Sequence, residues 1–132
     1  MQGKHLFEYA VIRVVPMVER EEFLNVGIIL YSKEEKFLQC LYTIDEARLK
    51  TFNDTVDISE VTKHLSAFER ICKADKDSGP IGKLDIASRF RWLTATRSTV
   101  VQTSKVHSGF CANLSEALKK LHAQLVAKPA VK

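Results

Sequence analysis

The chain opens on a strand-like alternation. Glu8-Tyr9-Ala10-Val11-Ile12-Arg13-Val14-Val15 is rich in β-branched residues and stops at Pro16, which cannot donate to a sheet ladder. A charged turn, Glu19-Arg20-Glu21-Glu22, follows. Phe23 to Tyr31 predicts a second strand, whose even positions Leu24, Val26, Ile28 and Leu30 are all aliphatic. That period of two predicts one core face carrying those four side chains together. The odd positions include Asn25 and Gly27, so the other face is mixed. Ser32 to Lys36 is a polar hairpin connection and Phe37 to Ile44 a third strand. Links this short cannot hold crossover helices, which predicts an antiparallel meander.

Helical spacing takes over next. Asp45 caps a short helix through Leu49 and Phe52, and Asp57 with Glu60 begins a capping-box-like start. Behind it, Val61, Leu65, Phe68 and Cys72 form one apolar stripe. Ser78-Gly79-Pro80-Ile81-Gly82 breaks the chain. Leu84 to Leu93 reads as a short helix, Ser98 to Thr103 as a fourth strand and Ser104 to Cys111 as a loop. Asn113 with Glu116 starts the last helix, striped by Leu114, Leu118, Leu121 and Leu125, and residues 127–132 read as a frayed tail. The expected fold is α+β: one domain over residues 1–132, an antiparallel sheet of about four strands with three to four helices packed mainly on one face.

Composition adds little until charge is mapped along the chain. With 132 residues, 45% of them hydrophobic, there is enough apolar material for a core without a disulfide or metal staple. No apolar run is long enough to span a bilayer, and the N-terminus lacks the apolar stretch of a signal peptide. A cytoplasmic setting is therefore the expectation, with Cys40, Cys72 and Cys111 as free thiols and no membrane partner. The formal net charge of +4 is concentrated. No acid lies between Asp85 and Glu116, where Arg89, Arg91, Arg97 and Lys105 stand with His107. Such a run points toward an anionic partner.

Two stretches carry a recognisable pattern. The first is Tyr9-Ala10-Val11-Ile12-Arg13-Val14-Val15-Pro16 with Arg20-Glu21-Glu22-Phe23-Leu24-Asn25-Val26-Gly27. The second is Arg89-Phe90-Arg91-Trp92-Leu93-Thr94, then Arg97-Ser98-Thr99-Val100-Val101-Gln102, then His107-Ser108-Gly109-Phe110-Cys111. Together they resemble the bacterial family catalogued as domain of unknown function 3037, over nearly the whole chain. The family pattern would have proline at Thr96, Thr103 and Lys105, and an Asp-Pro pair at Asn113-Leu114; these departures touch loop stiffness more than chemistry. The resemblance implies no catalytic residue. It does imply a neighbourhood with HipA-like kinase genes, which is an association and not a mechanism.

Candidate chemistry centres on the basic, hydroxyl-rich run. Arg97, Ser98 and Thr99 stand where a helix gives way to a strand, with Gln102, Lys105 and His107 beyond, and arginine with hydroxyls and loop N–H groups can cradle an anion. The structural alternative pairs Arg97 with a distant carboxylate and spends the hydroxyls on the loop. Arg13 and Asn25 form a second candidate. Arg13 shares a strand face with Tyr9 and Val11, and a charge in an apolar strand needs a partner: a pocket ligand, or an acid such as Glu8 or Glu22. His107 and Cys111, in His-x3-Cys spacing, read better as core and loop residues than as a nucleophile or metal pair. Phe90 and Trp92 read as core rather than as base-stacking residues. There is no Walker loop, dinucleotide fingerprint, H-E-x-x-H or G-x-S-x-G elbow, and no cofactor or metal is expected.

The residues favour a binding or accessory module. Its expected partner is a HipA-like kinase, a nucleic acid or another phosphate-bearing ligand, met by Arg13, Asn25, Arg89, Arg91, Arg97, Ser98, Thr99, Gln102, Lys105 and His107. One alternative is a small enzyme on a phosphorylated or nucleic-acid substrate, with Arg97 stabilising charge and His107 as acid or base. Another is a purely structural partner protein.

Overall fold

The computed structural model describes residues 3–127. Three strands form the expected meander: β1 (His5–Val14), β2 (Leu24–Ser32) and β3 (Phe37–Tyr42), with a 3-10 turn at Val18–Arg20 between the first two. Helices α1 (Glu46–Phe52), α2 (Ile58–Lys73) and α3 (Ile86–Leu93) come next, then β4 (Val101–Thr103), β5 (His107–Cys111) and α4 (Leu114–Leu125). Asp45, Asp57, Asp85 and Asn113 each accept a backbone N–H three residues on, so every one of these α-helices begins on a side-chain cap. Of residues 127–132, where the sequence reading expects a frayed tail, all but Ala127 lie outside the described residues.

All pairings are antiparallel, in the order β3-β2-β1-β4, and β5 continues along the same edge of β1 beyond β4. The segment expected to be a loop is therefore partly a fifth strand. Two residues separate Tyr9 from Ile12 on β1, while three separate Thr103 from His107 on the facing chain. The extra residue is a bulge, and Ser104 fills it. Its N–H donates to the Val11 carbonyl (2.8 Å) and its hydroxyl accepts the Val11 N–H (2.9 Å). A side-chain oxygen thus replaces a ladder carbonyl.

Helices cover both faces unequally. Side chains of α1, α2 and α3 meet Ala10, Ile12, Val14, Ile29 and Tyr31 on one face. Helix α4 alone covers the other, where Leu114 and Leu118 meet Phe7, Val11, Ile28 and Leu30. Three of the four helices thus share a face, as the sequence pattern implies.

The strand pattern of β2 needs one correction. Leu24, Val26, Ile28 and Leu30 do not share a core. Ile12 pairs with Gly27, but Arg13 pairs with Asn25, so Val26 is an extra residue in β2. This bulge reverses the alternation: Val26 and Leu24 join the α1–α3 side, while Ile28 and Leu30 join the α4 side. The positions that read as the mixed face, Ile29 and Tyr31, are buried in the larger core. Gly27 sits at the bulge because a Cβ there would lie 2.8 Å from Tyr42 Cβ and 2.9 Å from the Leu41 carbonyl. Val26→Ala should cost about 1–3 kcal/mol as a buried aliphatic truncation. Urea denaturation checks it, and a loss below about 0.5 kcal/mol would place Val26 at the surface.

Candidate functional site

The bulge in β2 has a consequence for β1. It sets Asn25 opposite Arg13 on one side, while Gln102 of β4 stands opposite Arg13 on the other. Directly paired residues share a face, so Asn25, Arg13 and Gln102 form a polar row across three strands on the α4 side. Phe23 lies two residues before Asn25, on the same face, and the Arg13 guanidinium carbon sits 3.8 Å from its ring centroid. Planar stacking of this kind holds a guanidinium without consuming its donors.

The two neighbours of Arg13 are anchored elsewhere. Asn25 Nδ2 donates to the Leu125 carbonyl at the end of α4 (3.0 Å), and Gln102 Nε2 donates to the Thr99 carbonyl (2.8 Å). Among the described residues Arg13 forms no ion pair, so neither Glu8 nor Glu22 supplies the acid that a half-buried strand arginine calls for. Glu22 is engaged by Arg20. Arg13 Nε and Asn25 Oδ1 are buried without a hydrogen-bond partner among the described residues. Burial pushes the Arg13 guanidinium below its ordinary pKa, yet arginine stays cationic at any working pH. The guanidinium faces a cleft of about 360 Å³ walled by Val15, Val18, Glu21, Phe23 and Gln102. Its apolar wall comes from the β1–β2 connection, which reads from sequence as a solvated turn. Phe23 is 43% exposed. An aromatic two residues before Asn25 on a strand was the signal available in the sequence.

The basic run does not form one cradle. Neither Arg97 nor His107 lines the Arg13 cleft. Arg89 is spent on the fold: its Nη1 donates to the Ile71 and Cys72 carbonyls at the end of α2 (2.8 and 2.9 Å), and its Nε to the Leu84 carbonyl (3.1 Å). The Ile71 and Cys72 carbonyls lie in the last turn of α2, where the intrahelical ladder runs out, although Ile71 also accepts the Ala74 N–H (3.2 Å). Arg97 stacks on Trp92 at 4.0 Å and donates to the Trp92 carbonyl; burial lowers its pKa as well. Trp92 is 40% exposed, which corrects the expectation of a core residue, whereas Phe90 is buried against Tyr31 as expected. Thr99 Oγ1 donates to the Val101 carbonyl, the loop role that competes with anion binding. Arg91, Ser98 and Lys105 are exposed.

His107 pairs with Tyr9 across β1–β5, and the two rings lie 5.3 Å apart. Glu8 points to the opposite face by strand alternation, so it does not orient His107. No group of three or more His, Cys, Asp or Glu side chains among the described residues could hold a metal ion. No helix among them is long and apolar enough to cross a membrane.

A family model described as a protein of unknown function (DUF3037) matches residues 9–126. The chain belongs to the DUF3037 family. That match begins at Tyr9 and ends at Val126, so it takes in the Arg13 row, the basic run and α4. No curated protein and no solved structure matched. Membership of DUF3037 therefore brings no assigned chemistry, and the functional reading has to come from the residues.

Proposed function

We propose that this chain is a binding module that receives an anionic group, a carboxylate or a phosphate, on Arg13. One observation carries the reading: a strand arginine held on Phe23 and lining a cleft, with no ion pair among the described residues and its Nε buried and unbonded. A guanidinium in a half-dry setting gains most from a bidentate anion. Gln102 and Asn25 flank it, while Val15, Val18 and Phe23 would cover the apolar part of a ligand. An acidic or phosphorylated segment of a HipA-like kinase is the partner that the family resemblance brings forward.

The test is titration with sodium pyrophosphate and with a tetraglutamate peptide, followed by amide chemical shifts. Arg13→Ala should weaken binding about 10- to 100-fold, the equivalent of one charge-assisted contact. Arg13→Lys should recover only part, since an ammonium cannot bind bidentately. Arg97→Ala should bind like the parent. A short single-stranded oligonucleotide separates one contact from many. Arg13 alone predicts a log–log salt slope of about −0.7, whereas a cradle of three cations in the basic run predicts about −2. Unchanged binding in folded Arg13→Ala would end the proposal.

A further inference from the structure

The larger core brings two thiols to one cavity. Cys40 lies on β3 and pairs with Ile29, a residue of the α1–α3 side, so the Cys40 side chain faces α2. Cys72 lies in the last turn of α2, buried in that core. Both line one cavity of about 380 Å³ with Leu38, Gln39, Glu69 and Lys73. The third cysteine, Cys111, packs on the α4 side, with the sheet between it and the pair. All three are free thiols here.

We propose that Cys40 and Cys72 are an oxidisable dithiol, which a peroxide entering the cavity closes into an intramolecular disulfide. The placement divides the labour. Cys40 is part-exposed on an edge strand and meets the oxidant first; Cys72 is buried and resolves. The neighbouring Cys40 and burial push the Cys72 thiol above the ordinary thiol range, so the more open Cys40 is the first of the two to react.

In the first step the Cys40 thiolate attacks one oxygen of hydrogen peroxide. The O–O bond breaks, the second oxygen leaves as hydroxide and takes up a proton as water, and Cys40 becomes a sulfenic acid. In the second step the Cys72 sulfur attacks the Cys40 sulfur. The S–S bond forms, the S–O bond breaks, and the departing hydroxide leaves as water with the Cys72 proton. Two thiols give up two electrons, and one peroxide is reduced to two waters. The bridge would pin the end of α2 to the edge strand β3 and close a loop that contains α1 and most of α2.

The experiment treats the reduced full chain with a small excess of hydrogen peroxide. The chain is then denatured, labelled with N-ethylmaleimide and digested for mass spectrometry. The expected result is a cross-linked Cys40–Cys72 peptide and a label on Cys111 alone. Oxidised chain should also melt at a higher temperature than reduced chain, and dithiothreitol should reverse the shift. Cys72→Ser should instead trap Cys40 as a sulfenic acid that reacts with dimedone. Labels on all three cysteines after peroxide, preferential oxidation of Cys111, or a disulfide joining two chains would each overturn the proposal.

Discussion

Phe90→Ala should lower the unfolding free energy by about 3–5 kcal/mol, the range for removing a fully buried aromatic. Phe90 is 2% exposed and its ring stacks on Tyr31 at 4.9 Å. Tyr31 belongs to β2 and Phe90 to α3, so this ring, together with the buried Leu93, fixes the third helix to the sheet. Deletion would leave a cavity between elements that are 59 residues apart in sequence and can only partly collapse. Trp92 provides the contrast. It is larger, two residues further on and equally aromatic, but it meets solvent and the Arg97 guanidinium. Trp92→Ala should cost less than about 1 kcal/mol, the worth of an exposed cation–π contact. Urea denaturation of both variants decides the matter. A domain of ordinary stability has only about 5–15 kcal/mol to lose. Phe90→Leu, expected to cost less than Phe90→Ala, therefore serves if Phe90→Ala does not fold. Equal costs at positions 90 and 92 would mean that α3 is rotated on the sheet.

The second large effect is expected at Arg89. Arg89→Ala removes charged donors from three backbone carbonyls, those of Ile71, Cys72 and Leu84. A hydrogen bond to a charged group is worth about 1.5–3 kcal/mol, and water can replace part of what is lost at a helix end, so the net cost should be about 2–3 kcal/mol. Arg89→Lys should recover less than half of it, because one ammonium cannot span carbonyls on α2 and on the turn before α3. Pyrophosphate binding should be unchanged in both variants wherever they are folded. The converse result, stability within about 0.5 kcal/mol of the parent together with weakened binding, would return Arg89 to a ligand site.

Much of the architecture is legible along the chain because its causes are local. Asp45, Asp57 and Asn113 mark helix starts, since a short side-chain acceptor reaches a free N–H three residues on. Alternation along β1 places Arg13 with Tyr9 and Val11, on the side that α4 partly covers. The stripe Val61, Leu65, Phe68 and Cys72 is the buried face of α2. Family membership is legible too, in motifs spread over residues 9–126.

The candidate site was only half legible. Arg13 and Asn25 stand out as polar residues in apolar strands, but their adjacency depends on a register that neither strand carries by itself. The bulge at Val26 follows from the close approach of Gly27 to β3, a contact between strands. The acid-free run shows where cations are concentrated. Their partners were out of reach, because Arg89 answers the end of α2, 17 and 18 residues earlier, and Arg97 answers an aromatic ring. Sequence by itself thus determined every element except β5, along with three of the four helix caps and the side of β1 that carries a charge, all of them consequences of spacing within one segment. Tertiary structure decided which face each half of β2 buries, which arginine nitrogen is left buried and unbonded among the described residues and which thiols share a cavity. Register and long-range hydrogen bonds are properties of pairs of segments, and they exist only once the chain has brought those segments together.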